Sequence, residues 1–439
     1  MLHQIIYSII FDYLKFISKH KYKLISKYFD KLNITDLHNI NHKYLQKINC
    51  VIINNYKNVR LLNLSYSDCI VDLKLFPHIR ELVCNKFIVI DDLVGLERLY
   101  KLDICCNNLL TDLNKLQNLK VLDIYASFKI NNYCIRELVN LTQLDVSYNH
   151  HITDINHMTE LIFLNACGKK CGIDNNSITK LSNLEILDIN YNSKITELNN
   201  FCNLKELYAC NCNLNNNHIS KLYNLELLNV SMCNNITDIN HLTNLKVLFA
   251  SGICGIDNNG IDKLSNIEIL YMRNNTIINN IGHLKKLKIL HAERTTILMN
   301  ECLSNLSNLE ELYLDRNQKI TDINSLTNLA TLSLVGNCRI NNNGISKLSK
   351  IRCLNLSNND KITDILHMTK LQRLYMNGSS CVIFDDVLKL NSLIMIDIRN
   401  NTKFASFCSF IKNNTINTTT ENYLNMRLTR FNNLYVLHS

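Results

Sequence analysis

The sequence contains very few of the residues that usually separate domains, with one proline (Pro77) and ten glycines among 439 residues. Linkers rich in proline and glycine are therefore absent, although the chain is longer than one compact hydrophobic core usually reaches. Apolar residues make up 46% of the chain and charged residues 19%, which is a globular and not a disordered composition. The chain must therefore either divide into domains without such linkers or form an array of repeats.

The sequence also predicts neither a membrane span nor a signal peptide. The most apolar N-terminal stretch, IIYSIIF at residues 5–11, is far shorter than the roughly 20 residues that a membrane-spanning helix needs. It has no basic region before it and no small-residue cleavage site after it, as a signal peptide would have. The eighteen cysteines are scattered singly, which is typical of free thiols in a reducing compartment. We therefore expect an intracellular protein that does not act at a membrane.

Signatures of catalysis and of metal binding are missing too. The sequence has no glycine-rich phosphate loop, nucleophile elbow or HExxH motif, and its fourteen histidines are dispersed. The close cysteine pairs Cys210/Cys212 and Cys167/Cys171 occupy different repeat positions, and no cysteine or histidine set completes a four-ligand site. The sequence predicts a protein that is not an enzyme and has no cofactor or metal.

The positive charge is concentrated at the two ends of the chain. The formal net charge is +9. Residues 1–48 have eight lysines against three aspartates, and residues 406–439 have three basic residues against one glutamate. The long middle of the chain is therefore nearly neutral. Because binding to nucleic acid depends on neutralising phosphates, we do not expect a nucleic-acid partner.

An internal repeat dominates the sequence between residues 49 and 405. Its unit is clearest in NLEELYLDRNQKITDINSL, which begins at Asn308. The same frame recurs seventeen times at a nearly constant interval. Its central leucine-type residue stands at 62, 82, 102, 122, 144, 164, 187, 207, 228, 248, 270, 290, 312, 332, 354, 374 and 396. Such regularity predicts a solenoid of about seventeen stacked turns.

Each unit combines a short strand with a turn. Leu312 and Leu314 alternate with more polar neighbours, which is the period-two pattern of a half-buried strand. Asn317 follows at the bend, where its amide can bond backbone groups that the bend leaves unpaired. The frame places its equivalents at Asn107, Asn149, Asn192, Asn275, Asn337, Asn359 and Asn401, with Cys212, Cys233, Thr295 and Ser379 as substitutes and imperfect turns at Lys169 and Ile253. We expect these side chains to stack as a ladder.

Short and long units alternate along the array. Short units return through ITDI-like segments, such as residues 320–323, and long units through NNGI-like segments, such as residues 343–348. The longer return has room for a turn of helix, whereas the shorter one has room only for extended or 3₁₀ chain.

Residues such as Leu309, Leu312, Leu314, Asn317 and Ile320 resemble the leucine-rich-repeat pattern L-x-x-L-x-L-x-x-N, especially the 22-residue type of internalins. The resemblance implies an α/β fold: a curved right-handed solenoid with a parallel concave sheet and alternating short and long convex returns. It also implies protein–protein recognition as the function. The abundance of Asn, Ile, Lys and Tyr further suggests an AT-rich genome, as in some protozoa and giant DNA viruses.

The concave face offers a candidate partner site. In the column one residue after each central leucine, four consecutive units present aromatic rings. We expect the main contacts at Phe249, Tyr271, Arg273, His291, Glu293, Tyr313, Asp315 and Tyr208, because tyrosine and arginine are enriched at binding hot spots. An aspartate-rich stretch earlier in the same column, residues 103–188, could steer a basic partner. An alternative stays open, in which the rings only stack across strands and stabilise the sheet.

Residues 1–48 do not follow the repeat and show helical spacing of apolar residues. One interpretation is a helical cap that closes the end of the solenoid. The other rests on LHQIIYSIIFDYL followed by LISKYFDKL, which resembles an F-box. That resemblance implies docking to the adaptor of a cullin-type ubiquitin ligase through Leu2, Ile6, Ile10, Phe11 and Leu14. Residues 406–439 leave the repeat frame and are expected to form a C-terminal cap, either a short helix or irregular chain.

Overall fold

The computed structural model describes residues 59–64, 73, 76–84, 93–383, 386–387, 389–401 and 403. It also describes the backbone of four strands at 36–37, 421–423, 426–431 and 434–438. The helices expected within residues 1–32, including the F-box-like positions, lie outside these residues. Within the described part, no helix has both the length and the apolar character required to cross a membrane.

Seventeen strands of three residues each are centred on the seventeen predicted leucine-type positions, which confirms the repeat frame. Counting one strand before them and three after them, the strands are β1 (Asp36–Leu37), β2 (Leu61–Asn63), β3 (Glu81–Val83), β4 (Lys101–Asp103), β5 (Val121–Asp123), β6 (Gln143–Asp145), β7 (Phe163–Asn165), β8 (Ile186–Asp188), β9 (Glu206–Tyr208), β10 (Leu227–Asn229), β11 (Val247–Phe249), β12 (Ile269–Tyr271), β13 (Ile289–His291), β14 (Glu311–Tyr313), β15 (Thr331–Ser333), β16 (Cys353–Asn355), β17 (Arg373–Tyr375), β18 (Met395–Asp397), β19 (Glu421–Tyr423), β20 (Met426–Phe431) and β21 (Leu434–His438).

The chain divides into two units, residues 1–187 and 188–439. In the first unit, β1 to β7 pair in sequence order as parallel neighbours. In the second unit, β9 to β18 do the same. The C-terminal segment differs from the expected helix or irregular cap. There β20 pairs antiparallel with β19 and β21, and β21 pairs in parallel with β18.

The apolar core runs behind the strands. In each repeat the central leucine-type residue and the residue two positions later point inward. Leu312 and Leu314, for example, are both fully buried. The residues on either side of the central leucine are mostly half-buried on the opposite face. One repeat could not bury its apolar edge alone, so the core exists only because neighbouring repeats stack.

Short helices occur in the long returns and not in the short ones, within the fully described repeats between β4 and β17, as predicted. The α-helices are α1 (Asn132–Ile135), α2 (Asn216–Ile219) and α3 (Asn300–Leu303), and 3₁₀ turns lie at Asn176–Ile178, Asn259–Ile261 and Asn342–Ile345. At Gly260 the chain passes close to the return of the preceding repeat, since a Cβ placed on this glycine would overlap the carbonyl oxygen of Thr237.

From β4 to β18, the turn after each strand contains one residue in the left-handed conformation, four positions after the central leucine-type residue. From Cys106 to Asn400 every turn has this conformation, either in an ordinary residue or in Gly168, Gly252, Gly336 or Gly378. A buried ladder residue follows. Asn149 is typical: its Nδ2 donates to the carbonyl oxygen of Ser127 at 2.9 Å, and its Oδ1 accepts from the N–H of His151 at 2.9 Å.

The ladder prediction was wrong where a glycine stands at the left-handed position. Asn337 and Ser379 are exposed, and the buried places belong to Cys338 and Ser380. Likewise Cys171 and Cys254 are buried where the frame pointed to Lys169 and Ile253. These turns contain one or two additional residues before the chain re-enters the core, which shifts the inward position along the sequence.

A second ladder of asparagines lies four positions before the central leucines. Each of these amides donates to a carbonyl oxygen of the preceding repeat at 2.8 to 3.1 Å, the asparagines being 118, 140, 183, 224, 244, 266, 308 and 328. Four dispersed histidines have a similar structural place, since Nε2 of His157, His241, His283 and His367 lies 2.9 to 3.1 Å from an isoleucine carbonyl oxygen. The asparagines and the histidines thus form hydrogen bonds between neighbouring repeats.

Candidate partner-binding surface

The sheet face opposite the core carries the residues directly before and directly after each central leucine. Because the strands are parallel and in register, equivalent residues of neighbouring repeats form straight columns across the sheet. Tyr271, for example, lies opposite Phe249 on one side and His291 on the other. Any surface on this face is therefore assembled from residues that belong to successive repeats of the sequence.

The four predicted aromatic residues form one continuous stack, which we call the aromatic column: Phe249, Tyr271, His291 and Tyr313. Ring centroids of successive members are 4.3, 4.3 and 4.0 Å apart, and the ring planes are within 12° of parallel. The rings therefore stack across neighbouring strands, as in the alternative interpretation of these residues, and such stacking stabilises the sheet. All four residues are only half-buried, so part of the column remains accessible.

A second, aliphatic column lies beside it and was missed in the sequence. Leu227, Val247, Ile269 and Ile289 directly precede the central leucines of β10 to β13, are half-buried, and lie in register with one another. We call the aliphatic and aromatic columns together the apolar strip. It spans five consecutive strands of the second unit, and contiguous apolar surface of this kind marks interaction sites more often than isolated exposed residues do.

Two glutamates close the aliphatic column at its ends, Glu206 on β9 and Glu311 on β14. One carboxyl oxygen of each glutamate accepts a hydrogen bond from the hydroxyl of a tyrosine two residues further along the same strand. Glu206 accepts from Tyr208 at 2.9 Å, and Glu311 accepts from Tyr313 at 3.0 Å. Burial, together with this hydrogen bond, raises the pKa of Tyr208 to about 12. The hydroxyl therefore stays protonated and acts as the donor.

A charged rim borders the aliphatic side of the strip. It lies two residues before the central leucines and alternates in sign through Lys205, Glu226, Lys246, Glu268, Lys288 and Glu310. Lys246 Nζ lies 2.7 Å from a carboxyl oxygen of Glu226, and Lys288 Nζ lies 2.7 Å from one of Glu268. The hydrogen bond from Lys246 lowers the pKa of Glu226. These pairs largely neutralise one another, so the rim is polar without a strong field of one sign.

Arg273, Glu293 and Asp315 form the rim on the aromatic side. Glu293 Oε1 lies 3.1 Å from Nδ1 of His291, while its Oε2 is buried without a hydrogen-bond partner among the described residues. Burial acts to raise the pKa of Glu293, but its hydrogen bonds with His291 and with its own backbone N–H, together with the charge of Arg273, outweigh burial and lower that pKa. Asp315 Oδ1 accepts from Ser333 Oγ at 2.6 Å, so it is already engaged in the fold.

Tyr208, the eighth predicted contact residue, stands apart from the aromatic stack. Asn229 lies between it and Phe249 in the column. The predicted aromatic and polar residues of β11 to β14 thus lie together on one surface, and Tyr208 lies at the β9 end of that surface.

The predicted acidic stretch also forms a column in the first unit, where Asp103, Asp123 and Asp145 lie on adjacent strands in register. Burial raises the pKa of Asp123 to about 7; a hydrogen bond from the N–H of Tyr125 opposes this shift, and the charges of Asp145 and Asp103 add to it. Asp123 is therefore partly protonated at neutral pH, which weakens the steering of a basic partner expected from this stretch.

The fifteen cysteines in the described part all have free thiols. In that same part no group of three or more His, Cys, Asp or Glu side chains is arranged to hold a metal ion.

Comparison with known proteins identifies the fold. No protein-family model matches the sequence, and no curated protein is significantly similar to it. Among solved structures, a leucine-rich-repeat protein of Leptospira interrogans is similar at 24% identity and a TM-score of 0.57, over 79% of this chain and 95% of that one. The TLR13–ssRNA13 complex gives 17% identity and a TM-score of 0.51, over 79% and 72%. An internalin of Listeria monocytogenes gives 24% identity and a TM-score of 0.49, over 65% and 88%. Identities of this size show the fold alone, which is the leucine-rich-repeat fold.

Proposed function

We propose that this protein is a non-enzymatic recognition scaffold that binds a protein partner on the exposed face of its sheet, at the apolar strip. In leucine-rich-repeat solenoids this is the concave face. The observation that carries the proposal is the strip itself: two adjacent apolar columns between two polar rims, in the second unit. An apolar centre with a polar border is the usual anatomy of a protein–protein interface.

Stacking across the sheet accounts for the aromatic column, but formation of the sheet does not require the aliphatic column beside it. The aliphatic column's position is taken by Glu81 and Lys101 in the first unit and by Arg373 in the second, and those strands form equally well. The concentration of apolar residues on β10 to β14 is therefore a local feature that the fold does not require. Binding a partner supplies a reason for it.

The proposal is tested by placing a charge in the centre of the strip. Ile269→Lys should abolish capture of the partner by the immobilised full chain, because the added ammonium would have to be desolvated in the interface. Lysine is compatible with this position in the strand, since Lys101 occupies the equivalent position of β4. Met395→Lys makes the same kind of change at the equivalent position of β18, outside the strip.

The expected result is that proteins captured by the parent chain disappear with Ile269→Lys and remain with Met395→Lys, as read by quantitative mass spectrometry. Capture that survives both changes would show that the strip is not the contact surface. Thermal midpoints of both variants must be measured alongside, because loss of capture with a collapsed midpoint in Ile269→Lys alone would instead assign the strip a structural role.

A narrower proposal concerns residues 1–48. The F-box-like pattern supports a role as substrate receptor of a cullin-type ubiquitin ligase, in which Leu2, Ile6, Ile10, Phe11 and Leu14 dock the adaptor and the repeats select the protein to be modified. The alternative is a stand-alone scaffold or regulatory subunit whose N-terminal segment is a cap. Both fit an intracellular setting. Binding of the full chain to the purified adaptor, compared with an Ile6→Asp, Ile10→Asp variant, separates them, since a cap would not bind at tens of micromolar.

A further inference from the structure

The long axis of the apolar strip runs across the strands and not along them. Its aliphatic column crosses four strands, β10 to β13, which at about 4.8 Å per strand is about 14 Å. The two columns are separated by two residues of extended chain, or about 7 Å. A partner that covers both columns must therefore present a narrow apolar face perpendicular to the strands.

The chemistry of the strip favours a helix over an extended segment. Peptide groups that approach an apolar surface lose water and need other hydrogen-bond partners. Among the eight residues of the strip only His291 and the two tyrosines have polar side-chain atoms, and Tyr313 already donates to Glu311 while His291 pairs with Glu293. An extended segment crossing here would leave its backbone groups unpaired, whereas an α-helix satisfies its own.

The two ends of the strip carry negative charge, which favours basic residues on the partner. Glu206 and Glu311 terminate the aliphatic column on β9 and β14, five strand spacings apart, which is about 24 Å. A helix rises about 1.5 Å per residue, so this separation corresponds to about 16 residues. The tyrosine hydroxyls hold both carboxyl groups in place. Lysine or arginine side chains near the two ends of a bound helix would then meet negative charge at both ends of the strip.

We propose that the occupant of the apolar strip is an amphipathic α-helix of a protein partner, lying across β9 to β14, with an apolar stripe over the strip and basic residues about 16 positions apart at its ends. This inference rests on the proposed function and adds the chemical class of the partner. The helix mode is consistent with the width of the strip, because the apolar stripe of a helix is about as wide as two columns.

The test uses a library of phage-displayed random peptides, each long enough for five turns of helix, selected on the immobilised full chain and counter-selected on Ile269→Lys. Enriched peptides should carry apolar residues at i, i+3, i+4 and i+7, lack internal proline, and carry Lys or Arg toward both ends. Against the double variant E206Q/E311Q, which keeps neutral hydrogen-bond acceptors at both sites, an enriched peptide should bind about three- to tenfold more weakly, and the difference should shrink at high salt.

The outcomes separate this inference from the proposed function. Enriched peptides that depend on Ile269 but contain proline, lack helical spacing or have acidic ends would overturn the helix and leave the binding surface intact. Peptides that bind Ile269→Lys as well as the parent chain would count against the strip as the binding surface. A selection with no enrichment would overturn the inference that a single helix suffices, while the capture experiment with Ile269→Lys would still decide the function.

Discussion

Replacing Asn317 with alanine would measure how much the buried ladder contributes to the stability of the turns. The side chain is only 1% exposed. Its Nδ2 donates to the carbonyl oxygen of Thr295 at 3.0 Å and to the hydroxyl of Thr295 at 3.1 Å. Its Oδ1 accepts from the N–H groups of Lys319 and Ile320, both at 2.9 Å. One amide therefore ties its own turn to the turn before it.

The expected loss follows from the groups that alanine would leave without a partner. The Ile320 N–H and the Thr295 carbonyl are buried, and each buried polar group left unpaired costs about 1–3 kcal/mol. The Lys319 N–H lies at the edge of the turn and can recover water. We therefore expect the free energy of unfolding to fall by about 3 kcal/mol, a large share of the stability of a typical domain.

The assay is urea unfolding of the full chain followed by circular dichroism, with amide hydrogen exchange at Lys319 and Ile320 as a local readout. Asn337→Ala is the matched control. It stands five residues after a central leucine, as Asn317 does, but it is exposed, so its substitution should change the free energy by no more than about 0.5 kcal/mol. Equal effects of the two substitutions, or no measurable effect of Asn317→Ala, would refute the role assigned to the ladder.

Three further predictions concern other parts of the molecule. Asp123→Asn should stabilise the chain relative to the parent, with a gain that grows as pH rises from about 4 to about 7 and is constant above that, because the folded pKa of this carboxyl is raised to about 7 from an ordinary value near 4. Once the partial exposure of Asp123 is considered, the gain should reach about 1–2 kcal/mol, read as the difference in thermal midpoint between variant and parent at each pH. Gly260→Ala should lower the thermal midpoint by several degrees, since its Cβ would meet the Thr237 carbonyl, whereas Gly282→Ala, with no neighbouring atom closer than 3.7 Å, should not. Tyr271→Ala removes two stacked contacts and should cost about 1–2 kcal/mol in urea unfolding; a loss below about 0.5 kcal/mol would show that the stack contributes little.

The candidate surface was only partly predictable from the sequence. The aromatic column follows from the repeat frame, since Phe249, Tyr271, His291 and Tyr313 each come one residue after a central leucine and parallel register aligns them. The aliphatic column was present in the same frame, one residue before the leucines. It was harder to recognise because an apolar residue inside a short strand such as ILY is as readily interpreted as core. The coordinates show that such residues are half-buried on the face opposite the core.

The glutamates at the ends of the strip could not be identified beforehand for a different reason. Glu206 and Glu311 are ordinary charged residues in sequence, and they gain meaning only from the tyrosines that bond them and from the apolar residues between them. Their role depends on β9 and β14, which are far apart in the chain, being brought onto one face by the stacking of the repeats between them.

The repeat frame was sufficient to predict the number of strands in the array, their centres and the alternation of long and short returns. All three follow from the spacing of the central leucines, because each strand buries its central residue and the interval to the next central residue sets whether the return between them is short or long. The residue that fills the ladder in the longer glycine turns could be identified only from the folded chain, where Cys338 and not Asn337 is buried. The same holds for which asparagines hydrogen-bond to the neighbouring repeat. That choice depends on carbonyl groups of the neighbouring repeat, and a local pattern carries no information about which of them remain unpaired.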